Sequence, residues 1–116
     1  EELHDFDVFK HGKIIRNSSE FKKEGINVNF VKVISDSEFY VRTYERGVEM
    51  ETLSCGTGVT AVALAMYHLE KTKSKNLKIN TNGGVLNVEF TTNNVGFKNI
   101  ILSGNVELVY DGEFIL

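Results

Sequence analysis

Apolar and polar positions alternate with two different periods along this chain, and the change of period separates strands from helices. INVNFVKVI (26–34) is β-branched and alternating, with Val28 and Phe30, continued by Lys32, on one face. Ser35-Asp36-Ser37 is turn chemistry, and EFYVRTY (38–44) answers it as a second strand, so 26–44 reads as a hairpin. Farther on, LKINT (77–81) and VLNVEF (85–90) flank Asn82-Gly83-Gly84, and Asn-Gly is the strongest short hairpin signal. NIILS (99–103), VELVY (106–110) and EFI (113–115) complete the strand set, punctuated by Asn93-Asn94 and Asp111-Gly112.

Helical spacing occupies two places. DFDVFKHGKIIR (5–16) carries Phe6, Phe9 and Ile14 among polar residues, the pattern of a short amphipathic helix that Gly12 weakens. Ser18-Ser19-Glu20 starts a further turn that ends near Gly25. In VTAVALAMYHL (59–69) the apolar residues circle the axis, which predicts a helix buried on all sides. At about 1.5 Å per residue it is too short to cross a bilayer. The expected fold is α+β: an antiparallel sheet of about six strands wrapped around one buried central helix at about 56–70, preceded by short helical turns.

Composition narrows the class without naming a function. The 116 residues suffice for one domain with a modest core, and 41% hydrophobic with 25% charged residues is ordinary for a globular chain. Thirteen basic and sixteen acidic residues leave a net charge of -3, so neither nucleic acid nor an anionic membrane is expected as a partner. The lysines at 71, 73, 75 and 78 read as a solvated helix exit. A lone cysteine cannot form an internal disulfide, which makes a reducing cytoplasm the simplest compartment. His4, His11 and His68 are scattered, and no metal site, Walker loop or dinucleotide fingerprint is expected. The chain opens on Glu1-Glu2 and lacks proline, and it reads as a piece of a longer polypeptide.

The candidate chemistry lies in YERGVEMETLSCGTG (44–58). The order is strand, charged pair, loop, Cys-Gly-Thr-Gly, helix. The first free N–H groups of a helix carry partial positive charge, and glycines at 56 and 58 let an anion approach the backbone. The same field stabilises a thiolate at Cys55. A carboxylate cradled there brings its α-carbon next to the sulfur, which favours proton transfer at that carbon. The alternative for Cys55 is a small buried hydrophobe, the ordinary fate of a free cysteine. Glu45-Arg46 is either a solvated ion pair or a clamp for an amino acid, Glu taking an ammonium and Arg a carboxylate. Asn27 and Asn29, one strand back, carry amides that suit a zwitterion, with edge or turn roles as the alternative.

These residues resemble the second active-site motif of the diaminopimelate epimerases, in which Glu-Arg-Gly precedes Cys-Gly-Thr-Gly at the opening of a central helix. GINVNFVKV (25–33) resembles the family's strand just upstream, and LSGNVELVYDGEF (102–114) its closing strands. The resemblance implies a cofactor-independent epimerase that interconverts LL- and meso-diaminopimelate, for lysine and cell-wall synthesis, through two cysteines, one from each of two pseudosymmetric halves. It implies Cys55 as one acid/base residue. Gly56 and Thr57 would hold the reacting carboxylate through backbone N–H groups, Asn27 and Arg46 the distal carboxylate, and Glu45 the distal ammonium. Phenazine-type isomerases of the same fold lack the cysteine. Another amino-acid racemase and a non-catalytic amino-acid-binding domain are the alternatives.

Two departures from the family are local: the loop Val48–Thr52 is one residue longer than its commonest form, and Asn105 stands where proline is frequent. The larger one is that the family's first half has no counterpart here. Residues 1–25 are then the helical connection from that N-terminal half, and 26–116 the C-terminal epimerase domain. Its expected partners are the N-terminal half, the amino-acid substrate and, since the family is often dimeric, a second copy. One thiol serves one face of a carbon, so this chain alone is expected to be inactive.

Overall fold

The computed structural model describes residues 2–116, and Glu1, where the expected connection begins, lies outside them. Two helices, α1 (Val8–Arg16) and α2 (Gly56–His68), accompany six strands: β1 (Val28–Ser35), β2 (Glu38–Glu45), β3 (Met50–Thr52), β4 (Asn76–Thr81), β5 (Gly84–Asn93) and β6 (Gly96–Gly104). The sheet order is β1-β2-β4-β5-β6, with β3 paired to β2. The α+β class and the hairpins β1–β2 and β4–β5 follow the sequence pattern. One pairing departs from the antiparallel expectation: β2 and β4 run parallel. Parallel neighbours need a long crossover, and the segment between them, which contains α2, supplies it.

Helix α2 packs against β1, β2, β4, β5 and β6, so the sheet curls around it. Phe39, Val41, Leu77, Ile79, Val88 and Phe90 meet Val59, Val62 and Ala63 in the main core. Burial of α2 is one-sided, however, because Ala61 and Ala65 remain exposed. The all-round apolar pattern therefore overstates its enclosure within this chain. No helix among the described residues is long and apolar enough to cross a membrane.

Strand β2 is covered on both faces, and its period of two sorts the side chains. Phe39, Val41 and Thr43 face α2 and are buried. Tyr44 faces the other way, into a second cluster with Val8 and Val28 that also receives Phe6 and Phe30. Asp7 caps α1 by accepting from the Lys10 N–H at 2.9 Å. The expected apolar face of α1 is corrected here: Phe9 and Ile14 are 46% and 62% exposed, whereas Val8 and Gly12 are buried. Gly12 has a positive reason to be present, since a Cβ there would lie 2.4 Å from Tyr44 Cβ. The turns after α1 close with Gly25 donating to the Phe21 carbonyl at 2.7 Å, at a φ of 75°.

The strands expected at 106–110 and 113–115 do not form. Residues 105–116 have no regular structure, and Val106, Leu108, Tyr110 and Phe114 are each more than four-fifths exposed (95%, 85%, 83% and 87%). Alternation supplies a face to bury but no edge to pair with, and this segment finds no second strand within the chain.

Candidate functional site

Three elements converge at the N-terminal end of α2. Strand β2 ends at Glu45. The short β3 then folds back along β2, with Met50 opposite Glu45 and Thr52 opposite Thr43. This return brings Ser54 and Cys55 to the start of the helix. Cys55 is the N-cap residue, with extended backbone (φ -135°, ψ 107°), and its side chain does not cap the helix. The thiol is thereby free to face elsewhere, and the first-turn N–H groups are left without the cap that Ser or Asp would provide.

Close approach of α2 to β1 and β2 depends on Gly58. A Cβ there would stand 2.6 Å from Asn29 Oδ1, 3.3 Å from Cys55 Sγ and 3.3 Å from Thr43 Oγ1. Behind it the Thr43 hydroxyl donates to Asn29 Oδ1 at 2.8 Å, which gives the buried Thr43 its partner. Asn29 thus serves packing beneath the helix rather than an open pocket. On the other side Leu102 of β6 leans over Gly56, where a Cβ would come within 3.0 Å of Leu102 Cδ2.

A cleft of about 730 Å³ opens here, lined by Glu45, Ser54, Cys55, Gly56, Thr57, Thr60, Ala61, Leu64 and Leu102. Four of the six residues to which the family resemblance gives a role (Glu45, Cys55, Gly56 and Thr57) are among them. Cys55 is buried, and its sulfur lies 3.4 Å from Thr57 Oγ1. Asn27 reaches the same sulfur with Nδ2 at 3.7 Å, while its Oδ1 accepts from the Arg46 N–H at 2.8 Å. Asn27 therefore adjoins the thiol without lining the cleft.

The charged pair splits. The carboxylate of Glu45, which lines the cleft, accepts from the Thr52 hydroxyl at 2.9 Å. The Arg46 side chain is exposed and turns away, donating to the carbonyls of Glu24 at 3.0 Å and Gly25 at 3.5 Å. The opposite sides taken by successive residues at a strand end account for this divergence.

The loop before Cys55 is anchored from the α1 side of the sheet. Arg42 grips Glu51 with two bonds of 2.7 Å and also donates to the carbonyls of Leu3, His4 and Phe6. The Glu51 carboxylate holds the guanidinium above its already high ordinary pKa. Glu49 accepts from the Gly47 N–H, and that backbone bond, with Tyr44 and Arg16 nearby, holds its carboxyl below the usual range. The Ser54, Leu64 and Leu102 contributions were not foreseen. A strand–helix boundary signals Cys55 and its neighbours, whereas Leu102 arrives through sheet curvature.

The arrangement offers a thiol, a helix N-terminus and a carboxylate on one wall of a cleft. A thiol beside a helix N-terminus can exchange a proton with a carbon next to a carboxylate held there. A family model described as diaminopimelate epimerase matches residues 2–109. The chain is 50% identical over 109 residues to the diaminopimelate epimerase of Flavobacterium psychrophilum, covering 94% of this chain and 43% of that protein. It is 42% identical over 113 residues to the diaminopimelate epimerase of Aquifex aeolicus, covering 97% and 39%. For that of Archaeoglobus fulgidus the identity is 46% over 108 residues, covering 93% and 36%. The chain thus spans about two fifths of the length of these curated relatives. Among solved structures, the phenazine biosynthesis protein of the PhzF family from Bacillus anthracis aligns with a TM-score of 0.53 at 21% identity. That match covers 75% of this chain and 27% of the other, and it is a likeness of fold.

Proposed function

The chain belongs to the diaminopimelate epimerase family, and we propose that it carries one of two acid/base thiols of a cofactor-independent enzyme that interconverts LL- and meso-diaminopimelate. The observation that supports this most is the placement of Cys55 as the N-cap of α2, its sulfur beside a cleft lined by Gly56 and Thr57.

In this reading the substrate's reacting carboxylate takes the N–H groups of Gly56 and Thr57. The Cys55 thiolate removes the α-proton from one face. The electron pair left on carbon spreads into the carboxylate, where the helix terminus stabilises the growing charge. In the reverse direction the thiol returns a proton to that same face. Glu45 takes the distal ammonium. Asn27 and Arg46 take the distal carboxylate, Arg46 swinging in from the carbonyls it now holds.

Inversion also needs a group on the opposite face, and this chain has one cysteine. The second thiol therefore comes from an N-terminal half of the same polypeptide, without which this chain is inactive. The exposed apolar residues of 105–116 suit contact with such a half, and self-association is expected where it is absent. A second copy of the whole protein is a further partner consistent with the family. A free thiol used as acid and base fits a reducing compartment such as the cytoplasm.

The test is made on the polypeptide that carries this chain together with its N-terminal half. Cys55→Ala is expected to stop LL-to-meso conversion while the melting transition persists. Undiminished turnover would remove the acid/base role. Turnover of another amino acid, with none of diaminopimelate, would keep the thiol and change the substrate.

A further inference from the structure

We infer that Asn27 is a positioning residue for the thiol: its side-chain amide is locked so that it donates a hydrogen bond to the sulfur of Cys55 and favours the thiolate. The catalytic meaning of this contact rests on the acid/base role proposed above, but the contact itself does not.

The lock is the Arg46 N–H, 2.8 Å from Asn27 Oδ1. A backbone N–H can only donate, so the atom facing it must be the amide oxygen. Flipping the amide would oppose two donors. Nδ2 is therefore the atom aimed at Sγ, at 3.7 Å. The Thr57 hydroxyl, 3.4 Å from the same sulfur, can serve as a second donor. A thiolate accepts hydrogen bonds far better than a thiol, so donors converging on sulfur favour the anion.

The charges around this corner are committed elsewhere. Among the described residues Glu45 is the one charged residue lining the cleft, and the Thr52 hydroxyl engages its carboxylate. Arg46 donates to the Glu24 and Gly25 carbonyls, and Arg16, beside it at Gly25, pairs with Glu49. From β6 the contribution is Leu102, which is apolar. Dipolar donors are thus what the structure supplies to a sulfur anion: the end of α2, Thr57 and Asn27. The amide has a second N–H, which leaves one for a substrate carboxylate.

Two substitutions separate the lock from the donor. Asn27→Asp keeps an acceptor for the Arg46 N–H and replaces the donor at sulfur with a carboxylate oxygen. Asn27→Ala removes both. The readout is the rate of Cys55 alkylation by iodoacetamide against pH, followed by mass spectrometry of the peptide containing Cys55, with melting as the check on folding. No substrate is involved. Asn27→Asp is expected to slow alkylation at pH 7 about tenfold and to move the profile to higher pH, with Asn27→Ala moving it the same way by less. An unmoved profile in either folded variant overturns the inference. Unmoved alkylation with lost epimerisation would mean that the amide only binds substrate, leaving the epimerase reading intact. A moved profile beside full turnover in Cys55→Ala would have the opposite consequence.

Discussion

Helix α2 has a cleft at each end, and the two are nearly equal in size: about 730 Å³ beside Cys55 and about 700 Å³ beside Tyr67 and His68. Their walls are built differently. At the N-terminal end the helix is stripped to Gly-Thr-Gly, strands approach closely, Asn27 and Thr57 contact the sulfur at 3.7 and 3.4 Å, and the Thr43–Asn29 bond lies behind Gly58. At the C-terminal end Tyr67, Phe90 and Phe97 lock edge to face, with ring centroids 5.2 to 6.0 Å apart. Cavity volume does not distinguish these ends. Convergence of donors on one reactive atom does, and it occurs where side chains are smallest.

The largest expected effect tests that asymmetry directly. Under the proposed acid/base role, Cys55→Ala should lower epimerisation by about a thousandfold or more in the polypeptide that carries this chain. His68→Ala, at the other cleft, should change turnover by no more than about twofold. Comparable losses at both ends, measured as LL-to-meso conversion, would erase the distinction.

Next in size is a stability effect that should fall on the aromatic end alone. Phe90 is 4% exposed and touches both Tyr67 and Phe97. Phe90→Ala is expected to cost about 3–5 kcal/mol, read from denaturant midpoints, because a large cavity opens in the main core. Turnover per folded molecule should stay near that of the parent. A matching fall in activity per folded molecule would show that the two ends are mechanically coupled.

Gly58→Ala links packing to chemistry at the polar end. Its Cβ would collide with Asn29 Oδ1 at 2.6 Å and crowd the sulfur at 3.3 Å. We expect a loss of about 1–3 kcal/mol from overpacking, with α2 pushed from β1. Unlike Phe90→Ala, it should also slow the alkylation of Cys55 or the turnover of the folded fraction. Parent-like stability would mean that the helix shifts without penalty.

Much of this contrast was legible beforehand, and the illegible parts share a cause. Alternation marks β1, β2, β4 and β5, and Cys-Gly-Thr-Gly marks the start of α2, because these signals are local. The strand–helix–strand order of 38–44, 56–70 and 77–81 also contains the parallel pairing of β2 with β4, since a helix between strands is a crossover. Strand β3 is three residues in an acidic loop, too short to show a period. Gly12 looked like a defect in a helix because its partner, Tyr44, is thirty-two positions away in the chain. The contact of Asn27 with Cys55 spans twenty-eight residues and depends on which strand borders the helix. Residues 105–116 alternate like a strand, but pairing requires an edge that period alone does not provide.

The smallest effect concerns how the loop leading to Cys55 is tied down, and it depends on pH. Tyr44 is 1% exposed, and its hydroxyl donates to Glu49 at 3.2 Å. Burial first, then this bond, pushes its phenol above the ordinary value of 10.0. A group whose pKa is raised on folding stabilises the fold fully below the unfolded value, and that contribution fades as pH climbs through the folded one. At pH 8 Tyr44→Phe should therefore be less stable than the parent by about 1 kcal/mol, the worth of one hydrogen bond. Above pH 10 the two should converge, because the parent loses the contribution and the variant has none to lose. Phe90→Ala removes no ionisable group, so its deficit should not close in the way that of Tyr44→Phe does. A gap between Tyr44→Phe and the parent that stays constant from pH 8 to 11, measured by denaturant unfolding, would show that the phenol does not hold this end of the helix through its proton.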